Sequence, residues 1–279
     1  MIECAASVAR DPKLRPVLQR HLHCIVGLAL AAPLAIGSAL AADMPMKAPE
    51  APAYQWSGCY VGLNGGGGTG GTNFSSTVDP GTHLLGADPA VVSASGGGGA
   101  NANGPLGGGQ AGCNLQTGTL VYGLEGDFDA FRSNPQFSNN TNTLSDGVTP
   151  FTLSQSLTIN YLATVRPRIG IAADRNLAYI TGGAAFTSVS YTERYVDGAV
   201  PAGTGVASAS RSLVGWTAGA GWEYAFADNW TLRVEYLFTM FPTTSALGSI
   251  TDTAGGANTL HGSTDLVVQI ARAGVNFKF

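Results

Sequence analysis

From residue 54 onward the chain alternates apolar and polar side chains with a period of two, the repeat of a strand whose two faces differ in chemistry. The run from 158 to 171 is the clearest. Ile159, Tyr161, Ala163, Val165, Ile169 and Ile171 fall on one face, and Thr158, Asn160, Thr164, Arg166 and Arg168 on the other. Residues 120–131 set Leu120, Tyr122, Leu124 and Phe128 opposite Gly123, Glu125, Asp127 and Asp129. Residues 230–238 set Trp230, Leu232, Val234, Tyr236 and Phe238 against Thr231, Arg233 and Glu235, with Leu237 interrupting the polar row. The pattern predicts eight strands, near 55–66, 106–117, 119–131, 156–171, 177–191, 211–226, 230–240 and 264–279. Neither face of 177–191 is distinctly apolar, so no inward set is assigned there.

The joins alternate in length. Short ones fall around 118, 172–176 and 227–229, and long ones rich in Gly, Ser, Asn and Thr at 67–105, 132–155, 192–210 and 241–263. Spanning barrels of bacteria show this asymmetry, with short periplasmic turns and long external loops. A tight turn centred on Asp228 pairs residues whose numbers sum to 456. Glu223 then faces Arg233, Trp222 faces Val234 and Tyr224 faces Leu232, so both strands keep their faces in register. Glu223 and Arg233 are expected close together on the polar side.

Composition turns this sheet toward lipid. Charged residues are 11% of the chain, against roughly 25% in soluble domains. After residue 45 no apolar run reaches the roughly 20 residues of a spanning helix, so any crossing must be made by strands. Net charge is −4 and the 14 Lys and Arg are scattered, which excludes a nucleic-acid footprint. Residues 1–41 read as a signal peptide: Arg10, Lys13, Arg15 and Arg20 precede an apolar stretch from Cys24 to Leu40, and Ala39-Leu40-Ala41 fits the cleavage pattern. Residues 42–53 form a Pro-rich periplasmic tether, and 54–279 the body. Of the cysteines left after the leader, Cys59 and Cys113 lie on apolar faces and read as small lipid-facing residues rather than as a bridge.

In a membrane the apolar faces turn outward and the charged faces inward. Eight strands make a tube narrow enough for side chains to fill. Glu125, Asp127, Glu223 and Glu235 are then expected to meet Arg166, Arg168, Arg233, Arg272 and Lys278 in a polar network inside, since buried charge is tolerated only when paired. Trp56, Trp216, Trp222, Trp230 and Tyr236 are expected at the membrane interfaces. Pro167 removes one ladder donor near a strand end.

The stretches WSGCYVGLNGG at 56–66, YGLEGDF at 122–128, ATVRPRIG at 163–170, YITGGAAF at 179–186, VGWTAGAGWEYAFADNWTLRVEYLF at 214–238 and the terminal VNFKF closely resemble the alphaproteobacterial outer-membrane immunogenic proteins. These are small porin-like barrels of the outer membrane protein A-like superfamily. The resemblance implies an eight-stranded antiparallel up-and-down transmembrane β-barrel in the cell outer membrane. Val275, Phe277 and Phe279 resemble the terminal signature read by the barrel assembly machinery. Cys59 and Cys113 stand where relatives often carry an aromatic, and Pro167 where they carry a small residue.

Other chemistry is thin. No Gly-Lys-Ser/Thr follows the Gly clusters at 65–68, 96–99 or 107–109, and only His83 and His261 remain after the leader, each in an expected outer loop. No cofactor or metal is expected. His261, Ser263 and Asp265 are the one grouping a barrel lipid hydrolase could use. The expectation is a structural, surface-exposed barrel with a side-chain-filled interior, the alternative a narrow porin. Its partners would be outer-membrane lipids, lipopolysaccharide, the assembly machinery, and host or environmental ligands at the loops.

Overall fold

The computed structural model describes residues 54–279; the expected signal peptide at 1–41 and tether at 42–53 lie outside the described residues. Ten strands make one antiparallel sheet: β1 (Gly58–Val78), β2 (Gly98–Asn101), β3 (Gly104–Thr117), β4 (Leu120–Ser133), β5 (Gln136–Thr143), β6 (Pro150–Ala173), β7 (Asn176–Asp197), β8 (Thr204–Ala225), β9 (Trp230–Thr251) and β10 (Ala257–Lys278). A short helix, α1 (Asp88–Ser95), lies between β1 and β2. Pairing runs β1–β3–β4–β6–β7–β8–β9–β10, and β10 pairs back onto β1, with Tyr60 opposite Lys278 and Val61 opposite Phe277. The sheet closes into a ring, so its long strands present no bare edge. β2 adds to β1 and β5 to β6, both at the end away from the tight turns.

Local chemistry sets those turns. Gly118, at φ +62°, lets β3 reverse into β4, and Asp174, at φ +51°, does the same between β6 and β7. Between β8 and β9 the register is the expected one: Glu223 opposite Arg233, Trp222 opposite Val234, Tyr224 opposite Leu232.

The long joins are not the loops that their composition predicts. β6 has 24 residues and β7 to β10 have 22 each, so strand occupies most of 132–155, 192–210 and 241–263. The reason is a change of polarity along the ring. Near the tight turns the inward side chains are charged and the outward ones apolar, as with Leu63, Leu124, Val165, Ile180 and Val234. Farther along, the inward side chains become one apolar core that includes Phe74, Phe151, Leu153, Leu157, Tyr195, Ile250 and Leu260. The outward ones there are mostly small and polar, such as Ser75, Ser154, Ser190 and Ser249, with Val196, Val206 and Leu247 as apolar exceptions. In sequence those polar rows resemble loop, because the apolar face that marks a strand has turned inward there.

In two strands a bulge makes the switch. Ile159 pairs with Val189, but the next β6–β7 pair is Leu162 with Thr187, so β6 carries one extra residue. β9 gains one between Phe241 and Thr244 against β10. One added residue moves every side chain beyond it to the other face. Ile159 is therefore buried inside and not on the outer face with Tyr161. Pro167 faces outward, and the β6–β7 ladder passes from Val165 to Arg168 without Arg166 or Pro167.

Residues 79–97 fold into the mouth of the ring, where Leu84 and Val92 join the core. Asn258 pins this segment: its Oδ1 accepts from the backbone of His83 (3.1 Å) and Leu84 (2.7 Å), and its Nδ2 donates to the carbonyls of Asp79 (3.0 Å) and Leu84 (3.2 Å).

Candidate functional site

All eight strands on the ring send polar side chains to its centre, and eight of the nine expected network residues meet there. Glu235 is the hub. It accepts from Arg166 Nη1 (3.1 Å), Arg272 Nη2 (2.7 Å), Arg233 Nη2 (3.5 Å) and the Tyr179 hydroxyl (3.0 Å). Glu125 takes Arg166 Nη2 at 2.8 Å and Arg233 Nη1 at 2.5 Å, and also accepts from the Tyr60 hydroxyl. Asp127 takes Arg166 at 2.9 Å and Arg272 at 3.0 Å, with Thr164 donating at 2.6 Å. Arg168 reaches Glu223 at 3.2 Å while its guanidinium stacks on the rings of Tyr60 (4.8 Å) and Tyr179 (5.0 Å). All these ionic groups are buried, so each pair exchanges water for charge-assisted hydrogen bonds in a medium of low polarizability.

Glu223 and Arg233 share the inward side, but each takes other partners. Glu223 accepts from Arg168, Asn276 Nδ2 (2.8 Å) and Thr231, whereas Arg233 turns to Glu125, Glu235 and Gln110 (3.2 Å). Register fixes the face of a side chain, not its rotamer.

Lys278 does not join the network. It stands at the rim, where its ammonium donates to the Gln55 carbonyl and lies 4.3 Å over the Tyr54 ring. Trp56 is not interfacial. It is 2% exposed, packs edge-on to Tyr54 (4.9 Å) and donates from Nε1 to the Asp174 carbonyl (3.2 Å), closing the turn end of the ring from within. The strand period stops before it, at Gly58 with φ +130°, so strand parity says nothing of its direction. Trp222 and Trp230 are exposed beside the tight turns, Trp216 is exposed six residues beyond Trp222, and Tyr236 stands between those levels. Val275, Phe277 and Phe279 face outward, Phe277 against Trp230 at 5.1 Å.

Cys59 and Cys113 face outward but are joined in a disulfide. They sit directly opposite in the β1–β3 register, so no backbone movement is needed to link them. That register was hidden, because Gly-rich strands give little pattern to align. Sequence reasoning also passed over Asp129, which holds Arg272 at 2.6 Å, and Gln110 and Asn276, which hydrogen-bond each other at 2.6 Å. Inward parity on β4, β3 and β10 was the available signal for all three. His261, Ser263 and Asp265 share the outward face without forming a relay: His261 pairs with Asp79 (2.8 Å), and Asp265 accepts from the Asn73 backbone (2.7 Å).

Residues 29–279 match the outer membrane protein beta-barrel domain family. The chain belongs to this outer-membrane β-barrel family. Among its relatives, the 31 kDa outer-membrane immunogenic protein of Brucella melitensis biotype 1 is 34% identical over 212 residues, covering 72% of this chain and 80% of that protein. The 25 kDa outer-membrane immunogenic protein of Brucella canis is 28% identical over 239 residues, 84% of this chain and 85% of that one. Among solved structures, the outer membrane protein OprG from Pseudomonas aeruginosa overlaps with a TM-score of 0.42 at 11% identity, over 81% of this chain and 99% of that one. Membership in the family places the chain in the cell outer membrane. No helix among the described residues is long and apolar enough to cross a membrane.

Proposed function

We propose that the chain is a structural, surface-presenting outer-membrane protein: an eight-stranded transmembrane barrel, sealed inside by its own side chains and exported by the leader at 1–41. Eight of the ten strands lie on the closed path, and β2 and β5 extend it on one side. A membrane-crossing strand needs about 9–11 residues, so strands of 22 residues leave about half their length clear of the bilayer. The crossing half is the one beside the tight turns, where the outward face is apolar. Outward aromatic rings bracket that band, with Tyr122, Trp222, Trp230 and Phe277 near the turns and Phe128, Phe186 and Trp216 beyond. In this orientation the turns are periplasmic, and the far half, with residues 79–97, stands outside among lipopolysaccharide and whatever ligands the loops meet.

The observation that carries the sealed reading is the ionic network lying beneath a continuous apolar core in the same tube. An ion would have to displace paired charges and then cross a water-excluding layer. Purified protein reconstituted in a planar bilayer is expected to give no channel steps. A steady single-channel current from correctly folded protein would instead establish the narrow porin.

A further inference from the structure

At the mouth opposite the tight turns, His83 is held between two carboxylates from different segments. Its Nδ1 lies 2.7 Å from Asp252 Oδ2 and its Nε2 lies 2.7 Å from Asp197 Oδ2, with the ring 4% exposed. A neutral imidazole has one N–H and one lone pair, so it satisfies only one of two ionised partners. With a carboxylate on each nitrogen, the geometry requires imidazolium. The carboxylates are themselves fixed. Asp197 Oδ1 accepts from the backbones of Ala199 (3.0 Å) and Gly203 (2.9 Å), and Asp252 Oδ1 from those of Ala254 (2.7 Å) and Gly256 (2.9 Å). Gly203 wraps the ring so closely that a Cβ there would sit 2.1 Å from His83 Nε2.

His83 belongs to the segment that closes the mouth. Leu84 follows it into the core, and α1 with Val92 comes after. We propose that His83 is the pin of a pH-sensitive latch, which holds residues 79–97 in the mouth while the imidazole carries both protons and releases them when one is lost. The assignment of this mouth to the external side rests on the proposed function; the latch itself does not.

Burial opposes the charge on His83, but hydrogen bonds to Asp197 and then Asp252 outweigh it and raise its pKa above the usual 6.5. Against burial, the backbone donors, Gly203 to Asp197 and Gly256 to Asp252, and then the same His83 bonds hold both aspartates below the ordinary carboxylate range. A raised histidine contributes stability in full below its unfolded value and loses it as pH rises through the folded one. Depressed carboxylates lose theirs only in acid, so release comes on the alkaline side. The other ionisable groups nearby are Tyr195, whose hydroxyl donates to Asp197 (3.0 Å), Asp88, held by Ser145 (2.8 Å), the Asp79–His261 pair, and exposed Arg194.

Amide hydrogen exchange, followed by mass spectrometry on the refolded full chain in detergent and corrected for intrinsic rate, tests this between about pH 6 and about pH 10. Protection of 79–97 is expected to fall by about tenfold or more across that range, while β7 to β10 near the turns stay constant. His83→Gln is expected to be weakly protected at every pH. Asp252→Asn is the discriminating variant: its Oδ1 still serves Ala254 and Gly256, and its new amide donates to neutral Nδ1. Its lid should stay protected at alkaline pH. Flat protection in the parent chain, or the same alkaline loss in Asp252→Asn, overturns the latch; neither result bears on conductance.

Discussion

Replacing Arg272 with Met is expected to destabilise the folded barrel by about 3–5 kcal/mol, the cost of removing one partner from a buried ion pair. Arg272 joins Asp127, Asp129 and Glu235, at 3.0, 2.6 and 2.7 Å. Without it three buried acids lose a common cation. The network holds five carboxylates, Glu125, Asp127, Asp129, Glu223 and Glu235, against four guanidiniums, Arg166, Arg168, Arg233 and Arg272. Removing an arginine widens that imbalance, and removing an acid closes it. Asp129 is the acid to remove, because its carboxylate pairs with one guanidinium, that of Arg272, which keeps Asp127 and Glu235. Asp129→Asn is expected to stay within about 1 kcal/mol of the parent. Urea titration of protein refolded into lipid vesicles, read by fluorescence, checks both. Equal losses, or the reverse order, would show that neutrality does not govern the interior.

Breaking the disulfide is expected to have the next largest effect. Cys59 and Cys113 are 54 residues apart in sequence, and a closed loop of that size restricts the unfolded chain by an amount worth about 4 kcal/mol before any relief from residual structure. The loop contains the Gly-rich pairing of β1 with β3, where Gly65 faces Gly107 and Gly68 faces Gly104. Such pairs offer few side chains to hold register. The Cys59→Ser, Cys113→Ser double variant should unfold at lower urea and lose its compact electrophoretic form at a lower temperature. Identical midpoints for oxidised parent and variant would refute the role. Inside the ring, Gly112 lies against Tyr60, where a Cβ would come 2.4 Å from the hydroxyl, so steric fit supplies the remaining register.

What could be read in advance follows from what a period of two encodes. It encodes faces wherever phase is unbroken and one face is apolar. Residues 120–131 and 223–238 meet both conditions, and their inward sets and the turn at Asp228 came out as expected. Ile159 sat across a bulge, so the same rule put it on the wrong side. The outer halves of β1 and β6 to β10 were hidden because their polar rows resemble loop, although Phe151, Leu153, Leu157 and Ile159 already alternate there. The network was legible as a set of residues but not as contacts: Lys278 looked equivalent to Arg272 by parity, yet only one lies deep enough to be enclosed.

The reversal of faces along the ring separates what the molecule shows from what holds it together. Away from the tight turns the wall turns mostly small polar residues to the surroundings, with Val196, Val206 and Leu247 among them, and keeps its larger apolar cluster within. Exchanging one small hydroxyl or amide for another at such a site costs within about 0.5 kcal/mol. The visible coat can therefore drift in chemistry residue by residue, across generations of bacteria, while the frame beneath it stays the same.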